Sequence, residues 1–124
     1  MRNILIVDDD KGFLDLLSII LNGKFEIHAH LLAHTAMIAL TDHKFDAVLL
    51  DVSLPDFTGY YVAKKMREGG INTPLAFLTN YDGEVTKDNA KEVNAEFWFK
   101  PEIVSQPQTL ADKINKLIGN EEEK

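Results

Sequence analysis

The chain has 124 residues, 45% of them hydrophobic and 27% charged, with a formal net charge of −7 and no cysteine. That length suits one domain with a substantial core, and the acidic balance argues against nucleic acid or an anionic membrane surface, which need clustered Lys and Arg. Lack of cysteine removes disulfide and thiolate chemistry, no apolar run approaches a membrane span, and the first residues lack a signal-peptide profile.

Residues 4–7, Ile-Leu-Ile-Val, form a continuous apolar run, the mark of a strand buried on both faces. Asp10 can cap a helix in which Phe13, Leu14, Leu17, Ile20 and Leu21 recur at helical spacing, with Gly23 as its stop. Residues 25–31 alternate, with Phe25, Ile27, Ala29 and Leu31 on one face and Glu26, His28 and His30 on the other, as in a half-exposed edge strand. A helix over 35–42 follows, then a second buried strand over 45–50. A helix over 59–68 is capped by Thr58 and stopped by Gly69-Gly70. Residues 75–78 read as a third buried strand. Residues 82–93 read as a polar helix with only Val85, Ala90 and Val93 apolar, and 97–99 as a strand. The last helix starts near Pro107, carries Leu110, Ile114, Leu117 and Ile118 as its stripe, and ends at Gly119. The domain therefore covers 1–119, and the charged tail 120–124 reads as disordered.

Strands alternating with helices predict a parallel sheet covered on both faces, whose ligands bind at the C-terminal strand ends. Asp8 and Asp9, Asp51, Thr79 and Lys100 all fall at such ends. Converging carboxylates need a shared cation, and oxygen donors without His or Cys suit Mg²⁺. Asp51 can then act as a nucleophile that accepts a phosphoryl group as an acyl phosphate. Lys100 and Thr79 can balance charge and donate to the phosphoryl oxygens. Read singly, each piece is weak: Asp8-Asp9-Asp10 could simply cap a helix, Thr79 could be a turn residue, and Lys100 could be an idle surface lysine. Together and in order they outweigh the bland reading. His28, His30, His34 and His43 read as solvated surface residues, and Trp98 as packing.

Val7-Asp8-Asp9, Leu50-Asp51-Val52-Ser53-Leu54-Pro55 with Gly59, Leu78-Thr79, and Phe97-Trp98-Phe99-Lys100-Pro101 together resemble a response-regulator receiver domain, chemotaxis-regulator-like, of two-component signalling. The resemblance covers nearly the whole chain. It implies a flavodoxin-like α/β fold, a doubly wound five-stranded parallel sheet of order 2-1-3-4-5 with helices on both faces. It implies phosphorylation of Asp51 by a histidine kinase or a histidine phosphotransfer protein, with Mg²⁺ ligated by Asp9, Asp51 and the Ser53 carbonyl and by Asp8 through water. Lys100 and Thr79 would contact the phosphoryl group, Thr79 and Phe97 would be a coupled switch pair, and the Lys100-Pro101 bond would be cis. The output partner would bind the face made by the fourth helix, the last strand and the last helix. The implied protein is cytoplasmic, catalyses only its own phosphorylation and dephosphorylation, contacts neither DNA nor membrane directly, and is a monomer or a weak phosphorylation-dependent dimer.

Three departures stand out. Asn80 follows Thr79 where the family usually has a small residue, Glu102 replaces the usual Phe after Lys-Pro, and Asn94-Ala95-Glu96 is one residue shorter than usual. They bear on turnover rate and on the last connection. Two other classes compete. A haloacid-dehalogenase-like phosphatase would carry Asp-x-Asp after its first strand, but here Ser53 occupies the third position after a middle strand. A pseudo-receiver would lack an acid or the lysine, and none is missing. No room is left for an output domain after the last helix, so the chain is expected to be a single-domain regulator or a receiver cut from a longer protein.

Overall fold

The computed structural model describes residues 1–80 and 87–119. Five parallel strands, β1 (Asn3–Val7), β2 (Glu26–His30), β3 (Ala47–Asp51), β4 (Leu75–Thr79) and β5 (Ala95–Phe99), lie in the order β2-β1-β3-β4-β5. Helices α1 (Lys11–Ile20), α2 (Ala33–Asp42), α3 (Gly59–Glu68), α4 (Lys87–Glu92), α5 (Lys100–Ser105) and α6 (Leu110–Gly119) alternate with them. The tail 120–124 and residues 82–86 of the expected fourth helix lie outside the described residues.

Side chains alternate across each strand, so one apolar run feeds two cores. Leu5, Val7, Val48, Leu50 and Phe77 point to the layer of α2, α3 and α4. Ile4, Ile6, Leu49, Leu78 and Trp98 point to the layer of α1, α5 and α6. Every residue of β3 and β4 is buried, as the continuous runs predict. Each such Leu, Ile or Phe contributes about 1.5–3 kcal/mol of transfer free energy.

The helix starts follow local chemistry. Asp10 caps α1 by accepting from the Phe13 N–H at 3.1 Å, and Thr58 caps α3 by accepting from the Tyr61 N–H at 3.1 Å. The start of α2 has no side-chain cap of its own at Leu32. The Asp56 carboxylate supplies one from the loop after β3, accepting from the N–H groups of Ala33 and His34, each at 2.9 Å.

Three expectations are corrected. First, β2 is an edge strand, but its burial is mixed: Ala29 and Leu31 are exposed, while His28 and His30 are half-buried. His28 lies edge-on to the Phe45 ring, 5.3 Å between centroids, and pairs with Asn3 Oδ1 at 3.2 Å, so this imidazole packs rather than stands in solvent, while His30 pairs with Thr35 Oγ1 at 3.0 Å. Second, the last helix starts at Leu110 rather than near Pro107: a 3-10 turn spans Pro107–Thr109, and a further short helix, α5, begins directly after β5. Third, Lys100-Pro101 is not cis: there is no cis peptide bond among the described residues. Pro101 sits in the first turn of α5, where its fixed φ suits a helix and its missing N–H leaves no bond unmade. A helix that starts directly at Lys100 delivers that side chain without a sharp cis turn.

Candidate functional site

Three strand ends build the site. Asp8 and Asp9 follow β1, Asp51 closes β3 and Lys100 follows β5. β1 and β3 are neighbours, and β1 is flanked by β2 on its other side, so the chain crosses to opposite faces here and leaves a crevice. Asp8, Asp51, Thr79 and Lys100 are the buried polar residues among those described, and Asp9 is exposed at the mouth.

Carboxylate oxygens of Asp8, Asp9 and Asp51 lie within 4.8 Å of one another. Lys100 Nζ lies 2.6 Å from Asp8 Oδ2 and 3.2 Å from Asp51 Oδ2, and 5.0 Å from the centre of the Phe13 ring. It donates a hydrogen bond to Asp51, whereas its contact with Asp8 Oδ2 is a close ion pair without hydrogen-bond geometry. Asp8 Oδ2 is thus a fully buried oxygen whose close partner is the Lys100 ammonium. The other oxygens are held by backbone: Asp8 Oδ1 accepts from the Asp10 N–H at 2.9 Å, and Asp51 Oδ1 from the Ser53 N–H at 3.2 Å. Three carboxylates converging within 4.8 Å around a single ammonium fit a small divalent cation such as Mg²⁺.

Electrostatics agree with that geometry. Burial and then the Asp8 charge push the Asp51 carboxyl up to about 6, against the pull of Lys100 and the Ser53 N–H. Burial alone would lower the Lys100 ammonium, but its pairs with Asp8 and Asp51 outweigh burial and raise it. One ammonium faces three carboxylates, so the cluster carries excess negative charge that a cation would relieve.

The remaining expected residues take distinct places. Ser53 is exposed beside Asp51, in a loop held by a bridge to Thr58. Thr79 is buried at the end of β4, and Asn80 is exposed next to it. Phe97 is half-buried and packs against the α2–α4 layer, away from the carboxylates. It pairs in register with Phe77, which makes it a diagonal neighbour of Thr79 on the same face. Trp98 is buried, with its indole N–H on Glu96 at 2.9 Å, so it is packing as expected.

Sequence reasoning missed three contributors. Asp56 ties the loop after Asp51 to α2 from 22 and 23 residues away. Phe13 was legible only as part of a helix stripe, yet its ring lies beneath the Lys100 ammonium. Gly59 was noted in the motif without its reason: a Cβ there would collide with the Asp51 carbonyl oxygen.

The family model of the response regulator receiver domain matches residues 4–115. The chain belongs to the response regulator receiver domain family. It is 27% identical over 123 residues to the response regulator SaeR of Staphylococcus epidermidis, covering 96% of this chain and 51% of that protein. The chain thus spans about half the length of the curated relatives it matches. Among solved structures it resembles the chemotaxis protein CheY4 of Vibrio cholerae, with 25% identity and a TM-score of 0.83, covering 94% of this chain and 98% of that one. It also resembles the response regulator DrrB of Thermotoga maritima, with 26% identity and a TM-score of 0.81, covering 98% of this chain and 54% of that one. This receiver domain therefore has the five-stranded, flavodoxin-like architecture of two-component response regulators. No helix among the described residues is long and apolar enough to cross a membrane.

Proposed function

We propose that Asp51 is the phosphoacceptor of this receiver domain, taking a phosphoryl group from a phosphohistidine of a histidine kinase or a histidine phosphotransfer protein. One observation carries the reading: the Asp8, Asp9 and Asp51 oxygens converge within 4.8 Å while Lys100 donates to Asp51 at 3.2 Å. An Asp51 carboxylate oxygen attacks phosphorus, the P–N bond to imidazole breaks, and an acyl phosphate forms as imidazole takes up a proton. Asp9, Asp51, the Ser53 carbonyl and, through water, Asp8 would hold Mg²⁺. Bound there, Mg²⁺ would neutralise charge on the phosphoryl oxygens. Lys100 moves its hydrogen bond from the carboxylate to a phosphoryl oxygen, and the Thr79 hydroxyl donates to another. Water later hydrolyses the acyl phosphate, so the chain catalyses only its own phosphorylation and dephosphorylation. The setting is cytoplasmic, without direct contact to DNA or membrane.

Acetyl phosphate with Mg²⁺ should add one phosphoryl group, read by intact mass. The adduct should vanish in EDTA and in Asp51→Asn; its persistence in either would overturn the assignment.

The output reading follows from the diagonal placement of Thr79 and Phe97. When Thr79 turns toward the phosphoryl oxygens it vacates space that the half-buried Phe97 can fill, which changes the face built by α4, β5 and α6. Phosphate favours a state already populated. A downstream protein or, weakly, a second copy binds that face. Beryllofluoride should shift amide resonances from Asp51 through Thr79 to Phe97. In Thr79→Ala it should still bind, with the changes near Phe97 reduced; undiminished far changes would break the proposed coupling.

A further inference from the structure

Phe13 lies in the first turn of α1, and backbone bonds fix it relative to the acidic site. Asp8 Oδ1 accepts from the Asp10 N–H at 2.9 Å, and Asp10 Oδ1 accepts from the Phe13 N–H at 3.1 Å. Phe13 is buried and belongs to the core beneath α1, α5 and α6. That core asks only for an apolar side chain here, which Leu or Met would supply as well. The ring does more than fill space, because the Lys100 ammonium lies over it, 5.0 Å from its centre. Lys100 is 6% exposed, so bulk water does not solvate this charge. Its close partners are Asp8 Oδ2 at 2.6 Å, Asp51 Oδ2 at 3.2 Å and the Phe13 ring. The face of an aromatic ring carries negative potential and attracts a cation within about 6 Å, most strongly where water is excluded.

From this we infer that Phe13 is a positioning residue for Lys100: its ring holds the ammonium beside Asp51 by cation–π attraction when a divalent cation engages the carboxylates. In the metal-free site the carboxylates hold Lys100 themselves. With a cation shared by Asp8, Asp9 and Asp51, Lys100 loses much of that Coulomb attraction and faces like charge, just when it has to meet a phosphoryl oxygen. A carboxylate or carbonyl in place of the ring would be a ligand for the same cation. The ring offers no oxygen, so a hard cation does not compete for it. Nor does the ring occupy a hydrogen-bond donor. An ammonium has three N–H groups, so the hydrogen bond of Lys100 can pass from Asp51 to a phosphoryl oxygen while the attraction to the ring persists. Phe13 thus acts through Lys100 and not on the reacting atoms. The transfer step rests on the phosphoacceptor reading, whereas the hold of the ring on Lys100 does not.

The test places mono-, tri- and pentafluorinated phenylalanine at position 13 alone, in the full chain. Fluorine withdraws charge from the ring face, so it weakens and then reverses the attraction for a cation while nearly keeping the shape. The first readout is the Lys100 Cε–H resonances of the lysine-labelled chain, without and with Mg²⁺. The second is the rate of phosphorylation by acetyl phosphate, followed by intact mass. In the parent the ring current should displace the Lys100 resonances upfield, and saturating Mg²⁺ should leave that displacement in place. Along the fluorine series the displacement under Mg²⁺ should shrink, and the rate should fall with it, by about fivefold at the pentafluorinated ring. Phe13→Leu should lose rate to a similar extent, and thermal melts in metal-free buffer should show every chain folded. Rates and Lys100 resonances that ignore fluorination would mean that the ring only packs and would overturn the proposal. An upfield displacement that Mg²⁺ abolishes in the parent would overturn it too. A parent that takes up no phosphoryl group would instead sink the phosphoacceptor reading, and the Lys100 resonances, which need no phosphorylation, would still decide whether the ring holds the ammonium.

Discussion

A methyl group on Gly59 would meet the backbone carbonyl of Asp51, because α3 begins against the strand end that carries the acceptor. The Gly59 N–H donates to the Val52 carbonyl at 2.9 Å, which holds the two segments at this distance. Backbone cannot step aside as a flexible side chain can, so Gly59→Ala must displace either the helix or the residue that reacts. A loss of about 1–3 kcal/mol is expected in urea unfolding, the range for forced overpacking. Phosphorylation by acetyl phosphate should slow in the same variant, since a small misplacement of the nucleophile is costly. A variant with unchanged stability and rate would show that the approach is less tight than this geometry requires.

Arg67 joins elements that no local pattern connects. Its guanidinium donates to the carbonyls of Ile71 and Thr73 at 2.9 and 2.8 Å, and of Val93 and Asn94 at 2.7 and 3.3 Å. It thereby binds the loop after α3 to the turn between α4 and β5, where Asn94 adopts a left-handed φ of 54°. Tyr60, which donates to Glu92 at 2.6 Å, makes a second tie between α3 and α4. Arg67→Met keeps much of the stem but leaves those carbonyls unmatched; about 2–3 kcal/mol should be lost in urea unfolding, and amide exchange should quicken at Val93 and Asn94. Loss of stability without faster exchange there would place the role of Arg67 elsewhere. No sequence signal could have revealed this clasp, because its partners on the α4–β5 turn stand 26 and 27 residues away. The same holds for Asp56 on the start of α2. By contrast, β1, β3 and β4 were legible because both their faces are buried, which makes them unbroken apolar runs. Asp8, Asp51 and Thr79 were legible because each closes such a run, and Lys100 because it follows the short aromatic run Phe97-Trp98-Phe99. The short α5 was hidden: Lys100-Pro101 drew attention as a strand exit, although a proline in a first helical turn is equally a helix start.

At the scale of the whole molecule, the site costs stability. Asp51 has a folded-state value of about 6 against an ordinary 3.8, chiefly because burial and Asp8 disfavour its charge. Well below pH 3.8 the residue is neutral in both the folded and unfolded chain, and the penalty is absent. As pH rises from 3.8 to about 6 the unfolded chain releases this proton while the folded chain still holds it, so Asp51's contribution to stability falls across this window and levels off above it. Asparagine has no such titration. In metal-free buffer Asp51→Asn should therefore match the parent at about pH 3 and exceed it above pH 6 by about 1–2 kcal/mol, less than the full 1.4 kcal/mol per unit because the site is partly solvated. Denaturant unfolding at a series of pH values measures the difference directly. Mg²⁺ should act unequally on the two proteins. A ligand of the folded state alone stabilises by mass action, so it should raise the parent's midpoint at neutral pH and close much of the gap, while moving Asp51→Asn far less. A gap that is constant with pH, or equal Mg²⁺ responses, would mean that crowded carboxylates are not what limits the stability of this fold.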